Sequence, residues 1–197
     1  SNFGKLGSGL IRVVGSANQT LTGVSSANIP ALEIASTGGT VSLSGHLLMR
    51  KSYLYTSGTI AAGTSILNFY GPDNSSMAVT SGGVTYNDVI LGGRENAIAL
   101  TGTLNVGGVT TITDSYSVPG TLNTGVVSAA GNVLYTGYGK TGTATLEMVG
   151  STSSVLNQAA GASRPSGTIT VNKTGATVTL ATAAVYSSAG QDLNLSG

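Results

Sequence analysis

The 197-residue sequence predicts an all-β fold: a parallel β-helix, or β-solenoid, wound in coils of about 19–23 residues. Three observations predict it. Short runs alternate apolar residues with small or polar ones. Gly-Gly, Ser-Gly and Asn/Asp clusters punctuate those runs where the chain must reverse. Strand-like phrases then recur along the chain at intervals compatible with whole turns.

The alternation is clearest in Thr40-Val41-Ser42-Leu43, Ala97-Ile98-Ala99-Leu100 and Thr177-Val178-Thr179-Leu180. Each has the period of two expected of a half-buried strand. No stretch carries a convincing helical period; Leu47 to Tyr55 comes closest, and its tyrosines suit a strand equally well. The recurring phrases divide the chain into units of approximately 10–66, 67–145 and 146–197 within a single solenoid domain spanning 1–197, read as a segment of a larger chain or assembly. Gly15 to Gly71 is 56 residues and Leu43 to Leu100 is 57; Gly71 to Gly150 is 79 and Leu100 to Leu180 is 80. The first spacing reads as three turns of about 19 and the second as the same unit with one coil inserted. About ten coils at ~4.8 Å would make a rod of roughly 45 Å. Inward positions are expected at Val13, Leu32, Ile34, Val41, Leu43, Leu67, Phe69, Val89, Leu91, Ile98, Leu100, Leu104, Ile169, Val171, Val178 and Leu180. The competing architecture is an antiparallel β-sandwich, which also shows short strands and frequent turn signals.

Composition narrows the function classes. Hydrophobic residues make up 40%, enough for a core, but only 8% are charged, against a usual ~25%. Helical bundles normally write their exposed faces in Glu, Lys and Arg, and disorder needs low hydrophobicity with high net charge. Neither fits. A net charge of +1 with scattered basic residues gives no footprint for nucleic acid. Cysteine is absent, so disulfides and cysteine-metal sites are excluded. No apolar run approaches the roughly 18 residues needed to span a bilayer as a helix.

Asn18-Gln19-Thr20-Leu21, Leu32-Glu33-Ile34 and Gly39-Thr40-Val41-Ser42-Leu43 resemble the degenerate repeats of large secreted bacterial surface proteins. They are similar to filamentous-haemagglutinin-like and autotransporter-passenger-like β-helix adhesins, and especially to repeat-rich surface proteins of the Bacteroidetes type. Thr85-Tyr86-Asn87-Asp88-Val89-Ile90-Leu91 is a loose counterpart of the F-N-N-L-x-I phrases of such repeats, with Tyr86 for the Phe and Asp88 for the second Asn. The likeness covers most of residues 10–197 and implies a right-handed parallel β-helix, export to the cell surface, and a role in adhesion or filament building. It carries no catalytic residues to transfer.

No catalytic, cofactor-binding or metal-binding set emerges from the residues. His46 is the only histidine, and no G-x-S-x-G elbow accompanies it. The seven acids are spread along the chain; Glu33 and Glu147 are expected to point outward, and Asp73, Asp88 and Asp114 to serve turns. Gly137-Tyr138-Gly139-Lys140-Thr141-Gly142 contains both G-x-G-x-x-G and G-K-T, but no helix follows and Leu134 stands where a phosphate-binding loop needs glycine. It reads as a glycine-rich turn between coils. Asn18, Asn74, Asn172 and Asn194 each open an N-x-S/T match; Asn18 and Asn74 are expected at equivalent repeat positions, in turns or an asparagine ladder. The candidate contact surface is Arg50, Lys51, Tyr53 and Tyr55, the least repeat-like patch.

The function expected is that of a non-enzymatic, extracellular, structural or adhesive protein, a stalk or filament subunit. Its partners would be copies of itself stacked end to end, and surface glycans; no nucleic acid, cofactor or membrane span is called for. The ends, Asn2–Gly9 and Asp192–Gly197, read as uncapped repeat or linker material. The alternative is a carbohydrate-binding or polysaccharide-degrading β-helix.

Overall fold

The computed structural model describes residues 9–181 and 193–195. Among them there is no helix, and every strand pairing is parallel. The chain winds as a β-solenoid of about eight turns, which rules out the antiparallel sandwich. At ~4.8 Å per turn the stack is about 40 Å long, shorter than ten coils would make it.

The first coil holds β1 (Leu10–Gly15), β2 (Gln19–Gly23) and β3 (Asn28–Ile29), and the second is one long strand, β4 (Ala31–Met49). The third holds β5 (Tyr53–Ala61) and β6 (Ile66–Tyr70), and the fourth β7 (Ser76–Thr80), β8 (Thr85–Tyr86) and β9 (Asp88–Gly92). β10 (Ala97–Thr101), β11 (Thr103–Val106) and β12 (Thr110–Asp114) form the fifth; β13 (Thr121–Asn123), β14 (Val126–Ala129) and β15 (Val133–Gly137) the sixth. β16 (Thr145–Gly150) and β17 (Ser154–Gln158) belong to the seventh, β18 (Ile169–Lys173) and β19 (Val178–Leu180) to the eighth, and β20 (Leu193–Leu195) stacks on β18.

Three faces result. β4 contributes to all of them, pairing in turn with β1, β2 and β3. It bends at Gly39 and Gly45, whose φ angles of 63° and 67° suit glycine. There a Cβ would also strike the preceding coil, 2.6 Å from the Ala17 carbonyl and 2.2 Å from Gly23 O. Partners are mostly 19 to 24 residues apart; the β5–β7 pairs Tyr53–Val79 and Leu54–Thr80, each 26 apart, are the exceptions.

Inward side chains form axial columns, which is how a coil too thin to bury anything alone acquires a core. Leu47, Leu67, Val89, Thr110, Val133 and Leu156 stack on the third face, beside Met49, Phe69, Leu91, Ile112 and Tyr135. Leu104, Val127, Leu146 and Ile169 stack on the second. Leu32, Tyr53, Val79 and Leu100 stack on the first. Of the expected inward positions, those from Leu32 to Ile169 are buried; Val13, Val171 and Val178 are half-buried, and Leu180 is exposed.

The repeat arithmetic needs correction. Gly15 ends a strand of the first face, Gly71 follows one of the third, and Gly150 ends one of the second. The spacings of 56 and 79 residues therefore join different faces rather than whole turns. The physical reason is that all three faces impose the same alternation, so their strands look alike. The chain ends read as uncapped lie outside the described residues, apart from Gly9 and β20.

Candidate functional site

The strongest concentration of polar chemistry is buried at the corner that leads from the third face to the first. Asn96 precedes β10, Asp114 closes β12, and Lys140 follows β15, so three successive corners stack. Lys140 Nζ donates to Asn96 Oδ1 at 2.8 Å, to Asn96 O at 3.2 Å and to Asp114 Oδ2 at 3.1 Å. Asp114 also accepts from the backbone N–H groups of Glu95, Tyr116 and Gly120. None of the three side chains is accessible: relative exposure is 0% for Asn96 and Lys140 and 1% for Asp114. Burial lowers the Lys140 pKa, and Asp114 beside it pulls the other way. Asn96 Nδ2 has no hydrogen-bond partner.

Glycines make the room. A Cβ at Gly71 would lie 2.6 Å from Asn96 Nδ2, one at Gly93 1.9 Å from Oδ1, and one at Gly120 2.1 Å from the Asn96 carbonyl. A second inward lysine, Lys173, closes β18. Lys173 Nζ donates to Ala130 O at 2.6 Å and Thr152 O at 2.9 Å, and burial lowers its pKa. Both lysines stitch one coil to the two before it.

The sequence-nominated contact residues do not form a surface patch. Tyr53 is in the core at 1% exposure, its hydroxyl 2.7 Å from that of Tyr86, and it packs on Phe69. Burial raises the pKa of both tyrosines; around Tyr53 the neighbouring Tyr86 adds to the effect. Tyr55 is half-buried and donates to Gly58 O; Arg50 is buried with its guanidinium over the Tyr70 ring at 5.0 Å; Lys51 is half-exposed. The reason is parity: Tyr53 falls opposite Leu32 in the first-face column. The exposed tyrosine rings among the described residues are instead Tyr116 and Tyr138, on adjacent corners, with Arg94 stacked 4.3 Å over Tyr116.

The remaining candidates resolve simply. Glu33 points outward and pairs with Arg12, and Glu147 accepts from Asn172. Asp88 and Asp114 satisfy backbone N–H groups, as turn acids should, whereas Asp73 pairs with Arg94. His46 lies within β4, half-buried, its Nε2 3.1 Å from Asn68 Nδ2. Asn18 and Asn74 are not equivalent: Asn18 accepts from Thr40 N between the first and second faces, while Asn74, at φ 52°, turns between the third and first. Residues 137–142 are indeed a turn between coils, but one whose lysine points inward. Among the described residues no group of three His, Cys, Asp or Glu is placed to hold a metal ion.

The second feature is the first coil. Among the described residues, β1 and β2 pair only with β4, leaving one edge of each open. Leu10, Ile11, Val14 and Val24 are exposed, and a cavity of about 520 Å³ is lined by Arg12, Val13, Val14, Gln19, Thr20, Leu21 and Val41. At the eighth coil Leu180 is likewise exposed. Comparison with protein-family models, curated proteins and solved structures finds no match.

Proposed function

We propose that the chain is a structural β-solenoid of an extracellular stalk or filament, acting by self-association through its first coil. The observation that carries this reading is the edge of β1 and β2 that no described strand pairs, beside a cavity lined by Val13, Val14, Leu21 and Val41 together with Arg12, Gln19 and Thr20. Unpaired strand edges recruit further strands, and here the occupant that fits is the eighth coil of a second copy, on the third face where Leu180 is exposed. Every pairing among the described residues is parallel, the eighth coil offers exposed Leu180, and the sparse charge of the chain raises little repulsion between copies. Joining unlike ends propagates without closing, which makes a filament.

Sedimentation velocity across a concentration series, with negative-stain microscopy, tests it. The expected outcome is rods that lengthen with concentration, and loss of that growth in Val14→Lys, which sets a charge on the exposed edge strand. A chain that stays monomeric throughout would overturn the reading. Glycan contact is a second reading, favoured by the exposed rings of Tyr116 and Tyr138. It predicts glycan-array binding that Tyr138→Ala reduces.

A further inference from the structure

From the buried corner we infer that Lys140 and Asn96 are joined by an intramolecular isopeptide bond, formed by the folded chain itself with Asp114 as proton carrier. The inference is independent of the assembly reading. Three features of an amide-forming site coincide. The nucleophile is close at hand, with Lys140 Nζ 2.8 Å from Asn96 Oδ1, the oxygen bonded to the amide carbon. The proton carrier touches the nucleophile at 3.1 Å and is itself held by three backbone N–H groups. The leaving nitrogen, Asn96 Nδ2, is held by no hydrogen bond, and water, which would compete for the carbon, is excluded by complete burial. The glycines packed on Asn96 hold its amide in this position. Burial lowers the Lys140 pKa, which favours the neutral amine that must attack.

The step balances without an oxidant or a co-reactant. The Lys140 ammonium passes one proton to the Asp114 carboxylate, and the freed lone pair of Nζ adds to Cγ of Asn96. As the tetrahedral centre collapses, the Cγ–Nδ2 bond breaks. Asp114 returns its proton, and a second one from Nζ follows through it, so nitrogen leaves as ammonium and Asp114 ends as a carboxylate. The product is a secondary amide between the corner before β10 and the corner after β15. It pins three consecutive corners along the axis, where pulling forces would otherwise peel one coil from the next.

Intact mass spectrometry of the purified full chain, followed by peptide mapping, tests the bond. The expected wild-type mass is lower than the sequence mass by one ammonia, with a branched peptide joining Asn96 to Lys140. Lys140→Arg and Asp114→Asn should each restore the full complement of ammonia. A wild-type mass equal to the sequence mass overturns the inference even if the variants do not fold. So does a deficit of one water mapped to Asp114 and Lys140, or an ammonia loss mapped to any other residue.

Discussion

The first coil and the fifth are written in similar residues, alternating aliphatic with small polar ones, yet their burial differs sharply. β1 has one half-buried residue among exposed ones, whereas β12 buries every second side chain. The difference is not composition. The fifth coil has a neighbour on each side, so Ile112 lies between Leu91 and Tyr135 in a continuous column. The first coil has a described neighbour on one side only, and Ile11, with the same chemistry, remains 39% exposed. In a solenoid, burial belongs to position in the stack. The polar corner follows the same rule, because Lys140 finds its partners one and two corners back, in the middle of the array.

The largest expected effect is at that corner. Asp114→Ala leaves the Lys140 ammonium buried beside uncharged oxygens and orphans three N–H groups, and breaking such a pair costs about 3–5 kcal/mol. Urea unfolding should read this as a lower midpoint with an unchanged slope. Core truncation then separates the two regions. Leu91→Ala, at a fully buried site, is expected to cost about 2–5 kcal/mol, and Ile11→Ala less than about 1 kcal/mol, since its site is already partly in solvent. Equal losses in the two variants would mean that the first coil is packed as tightly as the interior.

What could be read from the sequence divides along the same line. Alternation is a local property, so the β character and the inward residues named between Leu32 and Leu104 were legible, whereas Ile112, Val127, Val133 and Leu146 of the later coils were not picked out. Register was not, because Leu43 and Leu100 obey one pattern on two different faces. Counting one coil forward from Leu32 would have placed Tyr53 in the core, but basic neighbours at Arg50 and Lys51 drew it to the surface. The corner was hidden for a different reason. Asn96 and Lys140 are 44 residues apart, and the only local signal was a lysine set among glycines in a charge-poor chain.

A smaller effect appears in alkali and comes from the Tyr53–Tyr86 pair. Burial raises both pKa values in the folded state. The stability this pair contributes is therefore fully present below about pH 10, the unfolded value. It is lost as pH rises further, because the unfolded chain releases protons that the fold retains. Buried Lys173 acts in the opposite sense: its lowered folded pKa makes stability rise with pH up to the unfolded value near 10.4, and contributes no slope above it. Urea midpoints measured from about pH 8 to 11 should fall at the alkaline end, and Tyr53→Phe with Tyr86→Phe should flatten that fall. An unchanged profile in the double variant would remove the tyrosines as its cause.

The smallest effect sharpens the comparison most directly, because each region holds one ion pair of nearly equal length. Arg12 Nε lies 3.0 Å from Glu33 Oε2 in the first coils, and Lys140 Nζ 3.1 Å from Asp114 Oδ2 in the interior. Their surroundings differ: the Arg12 side chain is 59% exposed and the Lys140 side chain not at all. Solvent around Arg12 screens the attraction, so Arg12→Ala should cost only about 0.2–1 kcal/mol, and less in high salt. Measured beside Asp114→Ala at two salt concentrations, the surface variant should converge on wild type while the interior variant does not. A salt-insensitive loss at Arg12 would place that pair in a drier setting than its exposure indicates, as stacking of a second copy over the first coil would create.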